Sequence, residues 1–105
     1  GADGVISVAS NLFPTEVTEL VRSALSGDLK TASSFHHSLY PLFRDLFIEP
    51  SPVPVKACLK KLGYFSTDRV RLPLCEMSKE NRTIVLDSLQ QVTNNLKSIN
   101  AVPTA

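Results

Sequence analysis

The chain has 105 residues, of which 43% are hydrophobic and 20% charged, a composition typical of one soluble globular domain. Its 11 basic and 10 acidic residues give a net charge of +1, which argues against nucleic acid and anionic membrane surfaces as partners. No apolar run reaches the roughly 20 residues of a membrane span, and no signal-peptide pattern is seen, so we expect a cytoplasmic protein.

The first predicted element is a strand at residues 4–8, with the sequence Gly-Val-Ile-Ser-Val. A short β-branched apolar run of this kind is typical of a strand buried on both faces of a parallel sheet. The rest of the sequence offers no second strand of comparable quality. Since each unpaired backbone group would cost about 1–3 kcal/mol when buried, we expect the pairing strands to lie outside this sequence.

Two amphipathic helices are predicted next. The first begins at Pro14 and ends before Gly27, whereas the second follows Asp28, which can cap it, and contains Pro41. Apolar residues recur in both at intervals of three and four positions, the period of a helix face. These residues are Val17, Leu20, Val21, Ala24 and Leu25 in the first helix and Ala32, Phe35, Leu39, Leu42 and Leu46 in the second.

A proline-dense connector at residues 49–54 separates these helices from two more. Pro54 opens a short helix that ends at Gly63, and after a loop at residues 64–77 Ser78 caps a long last helix. The apolar stripe of the last helix consists of Val85, Leu89, Val92, Leu96 and Ile99.

One strand followed by helices indicates part of a larger fold. A strand with a covering helix is the repeating unit of a (β/α)8 barrel, which typically needs around 250 residues. The sequence therefore predicts an α/β protein of which this chain, itself mostly α, is a carboxy-terminal fragment, with about 150 residues missing upstream.

Three stretches of the sequence resemble the dihydrodipicolinate synthase family, in the order found there: residues 4–8, 46–56 and 71–74. The middle stretch, Leu-Phe-Ile-Glu-Pro-Ser-Pro-Val-Pro-Val-Lys, is the most specific, because family members commonly carry Glu-Pro-Asn-Pro-x-Pro-x-Lys there. Ser51 stands where the family usually has Asn, and its hydroxyl can still bond to nearby backbone in a turn.

The resemblance implies both a fold and an activity. Residues 1–27 would be the last strand and helix of the (β/α)8 barrel, and residues 28–105 an appended domain of three helices. The family condenses pyruvate with L-aspartate 4-semialdehyde in lysine and diaminopimelate biosynthesis, as a homotetramer without metal or organic cofactor. Pyruvate forms a Schiff base with a lysine of the sixth strand, so this chain would contain no catalytic residue and would be inactive without the missing amino-terminal part of the barrel.

One substrate-binding position carries over from the family. The counterpart of Ile6 lines the pyruvate pocket, and active sites of barrels lie at the carboxyl ends of the strands, which agrees with a location near residues 6–10. Without the resemblance, Ile6 would be interpreted as ordinary barrel packing.

Other reactive side chains favour structural interpretations. Lys56 is a poor candidate for the Schiff-base lysine, because a lysine early in a helix is expected to be solvated or to cap carbonyl groups. His36 and His37 point about 100° apart on a helix and cannot grip one metal from one face. Cys58 and Cys75 are expected to be reduced and buried.

Two alternative functions stay open. A sister aldolase such as N-acetylneuraminate lyase shares the barrel and the lysine, although residues 49–56 favour the synthase. A non-enzymatic helical interaction module would fit the helical stripes, but it leaves the buried type of strand at residues 4–8 unexplained.

Overall fold

Four α-helices and one 3-10 turn form the regular structure of the chain in the computed structural model, which describes residues 1–100, with side chains placed up to residue 99. The helices are α1 (Pro14–Leu25), α2 (Leu29–Asp45), α3 (Val53–Lys61) and α4 (Lys79–Asn100), and the 3-10 turn spans Ala9–Asn11. All four predicted helices are confirmed. Within residues 1–100, none of these helices combines the length and hydrophobicity that crossing a membrane requires.

Local sequence signals set the helix ends as predicted. The carboxylate of Asp28 accepts a hydrogen bond from the Thr31 amide at 3.1 Å and caps α2, and the hydroxyl of Ser78 caps α4 in the same way. Gly27 after α1 and Gly63 after α3 have φ angles of 86° and 87°, a left-handed conformation that other residues adopt only with strain.

The hydrophobic core lies mainly between α2 and α4. Helix α2 packs against α4 and also against α1, while α3 packs against α4. The largest fully buried side chains include Leu39, Leu42, Leu46, Val85 and Val92, all of which belong to the predicted apolar stripes. Since truncating such a residue to alanine typically costs about 2–5 kcal/mol, these five side chains contribute substantially to the stability of the chain.

The strand predicted at residues 4–8 is not formed in the described part of the chain. Residues 4–7 have no regular secondary structure, Val5 and Ile6 are exposed, and the backbone of residues 1–6 makes no hydrogen bond to another described residue. A strand requires neighbouring strands for its hydrogen bonds, and residues 1–100 supply none. The backbone groups of this segment are therefore left to water.

The predicted division into two domains falls in the turn between α1 and α2, which pack against each other. The assignment of residues 1–27 to a barrel and of residues 28–105 to an appended domain stays a prediction. Residues 101–105 of the second domain lie outside the described residues.

Candidate pocket-lining segment

Residues 4–7, here called the amino-terminal segment, lead into the 3-10 turn, which is anchored in the core. Ala9 and Leu12 are 3% and 6% exposed and belong to the cluster of buried apolar side chains. Val8, just before the turn, already has helical backbone angles, with φ −73° and ψ −41°. The carboxyl end of the amino-terminal segment is thus held at a fixed point, whereas the residues before it are not.

Side-chain hydrogen bonds join the amino-terminal segment to the turn. The hydroxyl of Ser10 donates to the carbonyl of Ser7 at 2.6 Å, and the amide of Ser10 donates to the hydroxyl oxygen of Ser7 at 3.1 Å. The backbone amide and the side-chain amide of Asn11 both donate to the carbonyl of Val8, at 3.1 and 3.0 Å. The sequence prediction missed the turn, although serine and asparagine after an apolar run are frequent turn residues.

Open grooves lie on both sides of the amino-terminal segment. One, of about 330 Å³, lies between the segment, α1 and the end of α2, and is lined mainly by apolar side chains such as Val17 and Phe43. The other, of about 710 Å³, lies against α1 and includes Val21 and Leu25. Apolar grooves on either side of an unpaired segment are the shape that further strands and their covering helices would fill.

Ile6, the one residue predicted to bind substrate, is fully exposed and lies at the edge of the smaller groove. Its hydrocarbon side chain carries no titratable proton, nucleophile or hydrogen-bonding group. The chemistry open to Ile6 is therefore apolar contact and the exclusion of water. Its role in a pyruvate pocket stays a prediction.

Glu49, in the proline-rich motif, links the connector to the start of α4. Its Oε2 atom accepts hydrogen bonds from the backbone amide of Ser78 at 3.1 Å and from the side-chain amide of Asn81 at 2.9 Å. A carboxylate here also faces the positive end of the α4 dipole. Glu49 is therefore a helix-capping residue rather than a free carboxylate.

Lys56, the last residue of the same motif, holds the loop that follows α3. Its Nζ atom donates to the carbonyl oxygen of Arg69 at 2.5 Å, which agrees with the expectation that Lys56 is solvated or caps carbonyl groups. The same loop is held by Asp68, whose carboxylate lies 2.7 Å from Arg82 and 3.5 Å from Lys60. The hydrogen bond from Arg82 is the main cause that lowers the pKa of Asp68.

Asp45, at the end of α2, forms a buried polar contact that no local pattern marks. Its carboxylate accepts two hydrogen bonds from Arg44, at 2.8 and 3.0 Å, and one from the hydroxyl of Ser88 on α4. Arg44 first and Ser88 to a lesser degree hold the pKa of Asp45 below its ordinary value, against the opposing effect of burial. Since Asp45 and Ser88 are both only 5% exposed, they form a buried polar contact between α2 and α4.

The histidine and cysteine side chains do not form a reactive cluster. His36 and His37 are both exposed, and among the described residues no group of three or more His, Cys, Asp or Glu side chains is arranged to hold a metal ion. Both cysteines are free. Cys58 is buried as predicted, and burial raises the pKa of its thiol to about 12, whereas the prediction of a buried Cys75 is wrong, because that residue lies exposed in the loop before α4.

Comparison with known proteins gives consistent matches. The model of the dihydrodipicolinate synthetase family matches residues 1–92. The 4-hydroxy-tetrahydrodipicolinate synthase of Kosmotoga olearia is 47% identical over 90 residues, which are 86% of this chain and 30% of that protein. The synthase of Aquifex aeolicus is 47% identical over 98 residues, which are 93% of this chain and 33% of that protein.

Solved structures agree with these matches. The structure of the 4-hydroxy-tetrahydrodipicolinate synthase from Methylacidiphilum fumariolicum SolV matches this chain with a TM-score of 0.91 and 44% sequence identity. The match covers 95% of this chain and 33% of the other chain. The dihydrodipicolinate synthase structure from Aquifex aeolicus has a TM-score of 0.83 at 47% identity, covering 89% of this chain and 31% of that one. The chain thus spans about a third of the length of the relatives it matches, and corresponds to their carboxy-terminal part.

Proposed function

Because the chain belongs to the dihydrodipicolinate synthetase family, we propose that it forms the carboxy-terminal part of a lyase that condenses pyruvate with L-aspartate 4-semialdehyde. The observation that carries the proposal is the match of residues 1–92, nearly the whole chain, to that family. The reaction belongs to lysine and diaminopimelate biosynthesis.

The chain has the fold of the carboxy-terminal part of a (β/α)8-barrel enzyme. In the proposal, the amino-terminal segment becomes the last barrel strand, α1 is the helix that covers it, and α2, α3 and α4 form the appended domain. The unpaired backbone of residues 1–6 and the grooves on either side of the segment support this placement. The partner that would fill them is the upstream part of the barrel.

The proposed chemistry depends on a lysine outside this chain. A neutral lysine amine attacks the carbonyl carbon of pyruvate and water leaves, which gives the Schiff base; burial among apolar side chains favours the neutral amine that this step needs. Lys56 is unsuited to the step, since its Nζ atom is engaged by the carbonyl of Arg69. Alone, the chain is therefore inactive.

Ile6 contributes the apolar wall of the pyruvate pocket. In the proposal Ile6 lies in the carboxyl-terminal half of the last strand, near the end at which barrel active sites form; its exposed side chain supports this role. An apolar wall there fits the methyl group of pyruvate and limits access of water to the Schiff base.

The further partners follow from the same proposal. We infer a cytoplasmic homotetramer that uses neither a metal nor an organic cofactor. The nearest alternative is a sister pyruvate aldolase such as N-acetylneuraminate lyase, but the resemblance at residues 49–56 and the named relatives favour the synthase. A free-standing helical interaction module is disfavoured, because it does not account for the match of residues 1–92 to the synthetase family.

Trapping of the Schiff base tests the proposal. The 105-residue chain, and a fusion in which it replaces the matching carboxy-terminal third of the Aquifex aeolicus synthase, are each treated with pyruvate and borohydride and analysed by peptide mass spectrometry. We expect an adduct on one upstream lysine of the fusion and none on the chain alone. Lys56→Arg serves as a control that leaves the adduct unchanged. An adduct on Lys56, or a folded fusion without any adduct, would contradict the proposal.

A further inference from the structure

The 3-10 turn is already ordered without the rest of a barrel. Ala9 and Leu12 are buried in the core, and the backbone amide of Leu12 donates to the carbonyl of Ala9 at 3.0 Å. Any residue firmly tied to this turn therefore has a defined position relative to α1 and α2. Ile6 itself is not buried, so its position depends on how its neighbour Ser7 is held.

Ser10 is the residue that holds Ser7. Among the described residues, the carbonyl of Ser7 accepts a hydrogen bond from the hydroxyl of Ser10 alone. The amide of Ser10 donates in return to the hydroxyl oxygen of Ser7. The neighbouring turn contact is different, because the carbonyl of Val8 is bonded by both the backbone and the side chain of Asn11. Loss of the Asn11 side chain leaves a bond to the Val8 carbonyl in place. Loss of the Ser10 hydroxyl leaves the Ser7 carbonyl without a partner among the described residues, and only the bond from the Ser10 amide to the Ser7 hydroxyl remains.

We propose that Ser10 is a positioning residue which, through the hydrogen bond from its hydroxyl to the carbonyl of Ser7, fixes the depth at which Ile6 enters the pyruvate pocket. This inference rests on the proposed function and adds a residue to its site. Ser10 itself does not touch the substrate. It sets the direction in which the last strand enters the turn, and a small change of direction at Ser7 moves the side chain of Ile6, the adjacent residue.

A split between KM and kcat in the fusion enzyme tests the proposal. With Ser10→Ala we expect the KM for pyruvate to rise about three- to tenfold, the effect of one net hydrogen bond. The kcat and the KM for the aldehyde should stay within about twofold, because the reacting lysine is not moved. Ser10→Thr, which keeps the hydroxyl, should restore the KM. A merely structural role would reduce the amount of active enzyme, and so kcat, with KM unchanged.

Ser26→Ala is the matched control. The hydroxyl of Ser26 donates to the carbonyl of Ser23 at 3.0 Å, with the same spacing of three residues, but at the far end of α1. We expect this substitution to leave both KM values unchanged. An unchanged KM in Ser10→Ala, a fall in kcat alone, or an equal effect of Ser26→Ala would overturn the proposal.

A second measurement, on the 105-residue chain itself, separates this inference from the proposed function. Backbone 15N relaxation should give Ser7 an order parameter near that of rigid backbone, about 0.85, falling toward about 0.6 in Ser10→Ala while Leu12 stays rigid. An order parameter at Ser7 that is the same in the original chain and in Ser10→Ala, whether high or low, would refute the positioning role. If the fusion binds no pyruvate, the proposed function fails, and this relaxation result alone decides whether Ser10 orders Ser7.

Discussion

Replacing Asp45 with alanine is expected to destabilise the chain by about 2–3 kcal/mol, because it removes a buried, hydrogen-bonded carboxylate. Asp45 is only 5% exposed, and the hydroxyl of Ser88 donates to it from α4. A hydrogen bond to a charged group contributes about 1.5–3 kcal/mol, and its removal leaves the buried hydroxyl without a partner. Arg44 lowers the pKa of Asp45 most, but its side chain is 60% exposed, so solvent screening reduces its share in stability.

Urea unfolding followed by circular dichroism provides the assay. With a slope of about 1–1.5 kcal/mol per molar urea, Asp45→Ala should lower the midpoint by about 1.3–3 M, and Arg44→Ala should lower it less. A double-mutant cycle with Ser88→Ala should show a coupling of at least about 1 kcal/mol. Coupling near zero, or a greater loss from Arg44→Ala than from Asp45→Ala, would refute the assignment of stability to the contact between α2 and α4.

Three further results are expected. The pKa of Asp45 is lowered in the folded chain, so its contribution to stability is complete above the unfolded value of about 4 and is lost as the pH falls through the folded value. Urea midpoints between pH 7 and pH 2 should show this loss, and Asp45→Asn should reduce it; the remainder comes from other carboxylates with a lowered pKa, such as Asp68. Glu49→Gln should cost about 0.5–2 kcal/mol, mainly by weakening the α4 cap, and should speed hydrogen exchange at the Ser78 amide; unchanged exchange there would contradict the capping role. Cys75 should react with a thiol reagent at pH 8 within the mixing time, whereas Cys58, with a pKa of about 12, should react only on unfolding, and equal rates would count against its burial.

The helices were predictable because their causes are local. Apolar residues spaced by three and four, the Asp28 cap and the left-handed Gly27 all act within one or two turns of the chain, and the structure has each of them where the pattern places it. The core followed from the same stripes, since the buried faces of α2 and α4 are the faces that the period marks.

Features with distant causes could not be predicted in this way. Asp45 and Ser88 are 43 positions apart, and Glu49 caps a helix that begins some 30 residues later, so no local window contains both partners. The strand at residues 4–8 has the right composition, but its hydrogen-bond partners are missing from residues 1–100. Ile6 could be singled out only through the resemblance to a family, because an exposed isoleucine has no chemical signal of its own.

Hydrogen exchange at the backbone amides of residues 5–8 tests the central claim most directly. In the 105-residue chain these amides should exchange at the rate of an unstructured peptide, while the amides of α2 and α4 are protected. In the fusion with the upstream two-thirds of the Aquifex aeolicus synthase, the exchange of the same amides should slow by about a thousandfold or more, because the last strand is then paired. A folded fusion in which they still exchange freely would contradict the account that this segment closes a barrel.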